Sequence, residues 1–266
     1  MTHIWAHRGA RREALENTLP AFERAIRQGA DGVELDVQLT ADDIMVVIHD
    51  ETVDRTTNGS GAVAGHTLAE LQLLDASAGM PGFGGTRIPT LADALDLLLA
   101  AGLVINIELK NACEEYPGLE RKVLEAVASA GAADQVVLST FNHYSLKTLQ
   151  ELGAVSELGM LFSDPLYSPW RYASTLKVKA IHPPIGCVLG PAYVRCAQEE
   201  GLAVRPWVAN DDGELRRLFK WGVDALFTDL PGHARRIRDE LQPAGSLRSR
   251  SRSTRAPDAV RRAAAG

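Results

Sequence analysis

Cysteine is scarce in this chain. Only Cys113, Cys187 and Cys196 occur among 266 residues, an odd number whose spacings suit neither a disulfide framework nor a CxxC metal site. The expected state is three free thiols in a reducing compartment. Long apolar runs are missing too. No stretch approaches the ~18 residues that a membrane helix needs. The N-terminus, MTHIWAHRGA, has no basic segment followed by an apolar one, so neither a membrane span nor a signal peptide is expected. Positive charge is lacking over most of the length. The whole chain carries −6, yet six Arg and one Asp between Pro243 and Gly266 give that end +5, leaving −11 on residues 1–242. An acidic body is a poor match for nucleic acid, whose phosphates reward clustered cations. The expectation is a soluble, cytoplasmic protein.

What the chain does have is a large apolar fraction, 45%, in short β-type runs that alternate with helix-type runs. The strand candidates are Ile4–Ala6, Gly32–Val37, Ile44–Ile48, Val104–Leu109, Val136–Ser139, Leu158–Phe162, Ala180–Ile181, Ala203–Val208 and Ala225–Thr228. Helical patterns between them run over Thr18–Gln28, Leu91–Ala101, Gly118–Ala130, Ser145–Leu152, Pro191–Glu200, Gly213–Trp221 and Pro231–Leu241. This alternation indicates βαβ units and a parallel sheet. At this length it suits a TIM (β/α)8 barrel, which takes about 250 residues.

Nine strands are one too many for such a barrel. The second and third are separated by a few residues around Asp42-Asp43, too few for a parallel crossover. They are read as an antiparallel hairpin turning on Asp42-Asp43, with Ala41 facing Ile44 and Asp36 facing His49. The third run is then an arm over the barrel mouth, and eight staves remain. Residues 51–87, rich in Gly and Thr, read as an insertion at the C-terminal face, too short for a core of its own. Residues 243–266 are Arg- and Ser-rich and poor in large apolar side chains; this tail is expected to be disordered. The barrel domain is placed at 1–242.

Chemistry concentrates at the ends of the first staves. Glu34 and Asp36 are two apart, so a strand places both on one face. Two carboxylates facing a barrel interior are costly unless something neutralises them, and Mg²⁺ or Ca²⁺ does so through carboxylate oxygens. Glu108, near the end of the next stave, can complete a three-carboxylate site. The alternative is that these acids only pair with Arg8 and Lys110. His7 and His49 each follow an apolar run and can reach the same acids. They suit one general base and one general acid, although structural or metal-ligating roles stay open. Arg8 and Lys110 add two cations fit for a phosphate, with an ion pair to Glu16 or Glu34 as the other use of Arg8.

Taken together, several motifs resemble the glycerophosphodiester phosphodiesterase family. They are His7-Arg8-Gly9, Glu16-Asn17-Thr18, Asp31 through Val37, Val47-Ile48-His49-Asp50, Asp54-Arg55-Thr56-Thr57-x-Gly59-x-Gly61 and Ile107 through Lys110. Ser139 through Asn142, Trp207 through Asn210 and Gly222 through Asp229 extend the likeness, which spans about residues 3 to 240. The resemblance implies a TIM barrel, a bound Mg²⁺ or Ca²⁺, and hydrolysis of a small glycerophosphodiester to an alcohol and glycerol 3-phosphate. It implies catalytic roles for His7 and His49, metal ligation by Glu34, Asp36 and Glu108, phosphate contacts from Arg8 and Lys110, and pocket walls at Phe141 and Trp207. Trp207 could equally be core. The insertion matches the family's cap over the glycerol side. Asp43 stands where the family usually has glycine, which bears on the hairpin turn. A lipid phosphodiesterase (lysophospholipase D or phospholipase C type) is the alternative activity. A non-catalytic phosphodiester-binding protein is a remoter one, as is an RNA-binding role for the tail. Oligomeric state is not readable.

Overall fold

A computed structural model describes residues 1–241; the Arg-rich tail expected at 243–266 lies outside the described residues. Eight parallel strands form the barrel wall: β1 (His3–His7), β2 (Gly32–Leu39), β4 (Val104–Leu109), β5 (Val136–Thr140), β6 (Glu157–Leu161), β7 (Ala180–His182), β8 (Ala203–Val204) and β9 (Ala225–Thr228). They are hydrogen-bonded in the order β8-β7-β6-β5-β4-β2-β1-β9. Three backbone bonds nearly close the ring between the β8 segment and β9: Asp224 N to Val204 O at 3.0 Å, Phe227 N to Pro206 O at 3.0 Å and Ala209 N to Phe227 O at 2.9 Å. β8 is far shorter than the Ala203–Val208 run, because Pro206 has no N–H to give to a ladder.

Period-two alternation sorts every stave into an outer and an inner face. Val33, Leu35, Val37, Ile105, Ile107 and Leu109 point outward into the main apolar core. That core packs them beneath α1 (Leu19–Arg27), α3 (Leu91–Ala100) and α4 (Leu119–Ser129), and each fully buried aliphatic side chain is worth about 1.5–3 kcal/mol. The intervening residues face inward. Trp5, Val137 and Phe227 plug the interior. Gly32 makes room for this plug, since a Cβ there would lie 2.8 Å from the Trp5 ring. His182, fully buried, sits edge-on to Trp5 and Phe227. Burial, and then the neighbouring Arg205, hold its imidazole far below the ordinary histidine range.

Four further helices surround the barrel: α5 (His143–Glu151), α7 (Pro191–Glu199), α8 (Asp212–Trp221) and α9 (Pro231–Leu241). Two more were not legible as helices. α2 (Leu68–Leu71) is a single turn within the insertion. α6 (Pro169–Leu176) is short, starts after a left-handed Ser168 and buries Ala173 and Leu176. Side-chain caps start other helices. Thr18 accepts from Ala21 N at the start of α1, and Asp211 and Glu214 form a reciprocal capping box on α8.

β3 (Met45–Val47) is the antiparallel arm on β2, but the expected register is one residue out. Val37 pairs with Val47 and Leu39 with Met45, so Ile48, not His49, lies across from Asp36, and Ile48 N donates to Asp36 O at 3.0 Å. The cause is the turn. Thr40 faces Ile44, giving a three-residue loop in which Asp43 is left-handed at φ 64°. Three-residue hairpins call for that conformation at their last loop position, and Asp tolerates it better than most residues. The insertion has no core of its own. Val53, Val63, Leu71, Ala76 and Ile88 are buried only together with Val46 and Ile48 of the arm.

Candidate active site

Parallel pairing of β2 with β4 sets Glu34 beside Asn106 and Asp36 beside Glu108. The three acids expected to share a face therefore do so, at the C-terminal end of the barrel. Each offers a carboxylate oxygen, and these oxygens lie within 4.8 Å of one another. All three residues are buried, Asp36 completely. The protein holds one oxygen of each. Arg8 N donates to Glu34 at 2.9 Å, Asn17 Nδ2 to Asp36 Oδ2 at 2.8 Å, and Lys110 Nζ to Glu108 at 2.9 Å. Asp36 Oδ1 is buried without a hydrogen bond.

The energetics of this cluster are lopsided. Burial, then repulsion from Asp36 and Glu108, pushes the Glu34 carboxyl well above its ordinary value. Burial and Asp36 likewise push Glu108 up to about 7. Burial works in the same direction on Asp36, but Arg8, His49 and Lys110 overcome it and hold that group below its ordinary value. Such frustration among buried acids, together with an orphaned buried oxygen, is what a divalent cation relieves. The residues therefore fit a hard metal ion.

His7 ends β1, and its Nδ1 lies 2.9 Å from Asp229 Oδ1, just beyond β9. Burial lowers the His7 pKa below the ordinary value, against the raising pull of Asp229. Burial would raise Asp229, but the hydrogen bond with His7 and the charges of His7 and Arg11 bring it down to about 2. Despite the register shift, His49 reaches the same cleft. The chain bends after β3 around Gln38, whose Nε2 donates to the carbonyls of Ile48, His49 and Asp50 at 3.1, 3.0 and 2.7 Å. His49 Nδ1 lies 2.7 Å from Asp50 Oδ1, and its Nε2 is 3.2 Å from Lys110 Nζ.

Arg8 settles between its two expected uses. Its NH1 pairs with Glu16 at 2.9 Å and its Nε lies 3.3 Å from Asp36, while it still lines the cleft. It does so from a left-handed backbone, φ 54°, followed by Gly9 at φ 82°. A Cβ on Gly9 would lie 2.7 Å from the Ala21 carbonyl carbon, so only glycine lets the loop pass against α1. Phe141 and Trp207 form the apolar wall facing the acids. Their rings meet edge-to-face at 5.8 Å, and Trp207 Nε1 donates to His182 O at 2.8 Å. Trp207 is only partly buried: it lines the cleft and also packs on the Trp5–Phe227 plug. All nine residues singled out in the sequence converge here. Asp229, Asp50, Asn17 and Arg11 were not singled out. Asn17, Asp50 and Asp229 do stand within motifs that carry the resemblance, and Asp229 directly follows the last stave; those were the available signals.

The match to known proteins is broad. The model of the glycerophosphoryl diester phosphodiesterase family matches residues 7–233. A glycerophosphodiester phosphodiesterase of Caldanaerobacter subterraneus is 40% identical over 231 residues, 86% of this chain and 95% of that protein. One from Bacillus altitudinis is 40% identical over 245 residues, 91% of this chain and 100% of its own length. Among solved structures, an Oleispira antarctica phosphodiesterase in complex with the product sn-glycerol-3-phosphate superposes with a TM-score of 0.80 at 28% identity, covering 90% of this chain and 97% of that one. With a family match over most of its length and relatives this similar, the chain belongs to the glycerophosphoryl diester phosphodiesterase family.

Proposed function

We propose that the protein hydrolyses small glycerophosphodiesters to an alcohol and sn-glycerol 3-phosphate, with His7 and His49 as the acid–base pair. The observation that carries this reading is the convergence of two imidazoles, each with Nδ1 on a carboxylate, on one cleft with three buried acids. The product held by the Oleispira relative supports the choice of substrate class. Three free cysteines are consistent with a cytoplasmic setting.

Glu34, Asp36 and Glu108 would hold Mg²⁺ or Ca²⁺, which supplies positive charge for the phosphoryl oxygens. Arg8 and Lys110 orient the phosphate and share its charge. His7 takes the proton from the glycerol hydroxyl next to the phosphate, and that oxygen attacks phosphorus. His49 gives its proton to the departing alcohol oxygen. Water then opens the cyclic phosphate as His49 accepts a proton and His7 returns one to the glycerol oxygen. Phe141 and Trp207 screen one side of the cleft from solvent.

The test is release of glycerol 3-phosphate from glycerophosphocholine and glycerophosphoethanolamine, with EDTA and with added Mg²⁺ or Ca²⁺. Release that EDTA abolishes and metal restores is expected; none from the folded, metal-supplemented protein would overturn the reading. A second reading, a lipid-like diester, is favoured by the large apolar side chains exposed on loops and helix starts at the barrel mouth. These are Tyr144, Leu166, Tyr167 and Leu189. Co-sedimentation with lysophospholipid vesicles and turnover of that lipid separate the two.

A further inference from the structure

The two histidines are joined to each other by a continuous run of charged groups that passes through the insertion. His7 Nδ1 is 2.9 Å from Asp229 Oδ1, and Arg11 Nε reaches that same oxygen at 2.7 Å. Arg11 NH1 continues to Glu16 Oε2 at 3.4 Å, and Arg55 NH2 meets the other Glu16 oxygen at 2.7 Å. Arg55 then grips Asp50 with a two-pronged fork, Nε to Oδ2 at 2.6 Å and NH2 to Oδ1 at 2.9 Å. Asp50 Oδ1 receives His49 Nδ1 at 2.7 Å. Charges alternate along the run, and each carboxylate meets a guanidinium.

We infer that Arg55 is a positioning residue for both histidines, tying His49 and His7 to one another across the mouth through Asp50, Glu16, Arg11 and Asp229. The inference rests on the two-histidine reading above and adds a residue that touches neither histidine. The physical reason is orientation. An ionised carboxylate only accepts, so each Nδ1 must donate and each Nε2 is left to exchange protons. The orientation is only as firm as the carboxylate, and the half-buried Asp50 is held by the planar fork of Arg55. The opposing hydrogen bonds hold Asp50 below the usual carboxylate range, Arg55 chief among them. Glu16, largely buried, stays ionised because Arg55 and Arg8 outweigh the cost of its burial. The Arg55 side chain is 48% exposed and comes from the insertion, so it can be changed without opening the core.

The experiment compares Arg55→Gln and Arg55→Lys with the unaltered full chain in saturating Mg²⁺. Glycerophosphocholine turnover and the ¹⁵N-imidazole NMR signals of His7 and His49 are both read. Arg55→Gln is expected to lower kcat by about tenfold or more, leave KM within about twofold, and move the ring-nitrogen signals of both histidines. Arg55→Lys keeps a charge but cannot hold two carboxylates, so it falls between. Unchanged kcat, or movement of the His49 signals alone, overturns the tie across the mouth. His7→Ala and His49→Ala, run alongside, tell this failure from that of the underlying reading: both must be inactive for the comparison to bear on Arg55. Should Arg55→Gln not fold, Arg55→Lys carries the same two readouts.

Discussion

The Lys110 ammonium lies 3.2 Å from Nε2 of His49. An ammonium has only protons to give, so a neutral His49 ring turns its Nε2 lone pair to Lys110 and keeps its proton on Nδ1, toward Asp50; to act as the acid it takes a second proton on Nε2. The two partners thus fix the ring's orientation before any substrate arrives. Removing either proposed acid–base histidine has a definite cost. His7→Ala and His49→Ala should each lower kcat by about 10² to 10⁴ while the protein stays folded. Folded variants with full turnover would sink the acid–base assignment.

The acid cluster predicts proton-coupled metal binding. Burial raises Glu34 and brings Glu108 to about 7 in the metal-free protein, and a ligating carboxylate must be ionised. Metal affinity should therefore weaken as pH falls below 7, with protons released on binding. Calorimetric titration of Mg²⁺ in buffers of different ionisation enthalpy, at pH 6 and at pH 8, checks this. Binding heats indifferent to the buffer at pH 6 would count against it. Glu108→Gln should bind metal more weakly and release fewer protons.

Much of this site was legible because period two is a strong constraint. Glu34, Asp36 and Glu108 had to share a face once their strands were recognised, and parallel register then made them neighbours. The hairpin followed from a connection too short for a crossover. What escaped was the residue opposite, not the residue itself. Asp43 adopts a left-handed turn and slides the arm by one position, a local choice that no alternation pattern encodes. Asp229 and Asn17 meet their partners only through barrel closure and a loop, contacts that periodicity cannot foresee. α6 was missed because its apolar positions are few and its start is irregular.

Stability should depend on Asp229 in acid. Its folded value of about 2 lies below the unfolded value of ~3.9. A depressed carboxyl contributes stability that is present above the unfolded value and is lost as pH falls through the folded one. Its contribution near neutrality is on the order of 2 kcal/mol. The gap in urea-denaturation stability between the unaltered protein and Asp229→Asn should thus be open at pH 6 and shrink between about pH 4 and pH 2. A gap that widens in that window would contradict the shift.

Gly9 offers a backbone test. Alanine there combines φ 82° with a 2.7 Å approach to the Ala21 backbone. Gly9→Ala should destabilise by about 1–3 kcal/mol and lower turnover as well, since the same loop carries Arg8 and directly follows His7. Thermal melting and kcat measured together check this; a neutral outcome in both would mean that the loop relaxes freely.

The His7–Asp229 pairing joins positions 222 apart in the chain. Asp229 therefore leaves the ribosome 222 residues after His7. Over that interval the polypeptide carries a histidine without its anchor and a ring without its final stave. A fragment truncated before Asp229 lacks the carboxylate that holds the His7 ring.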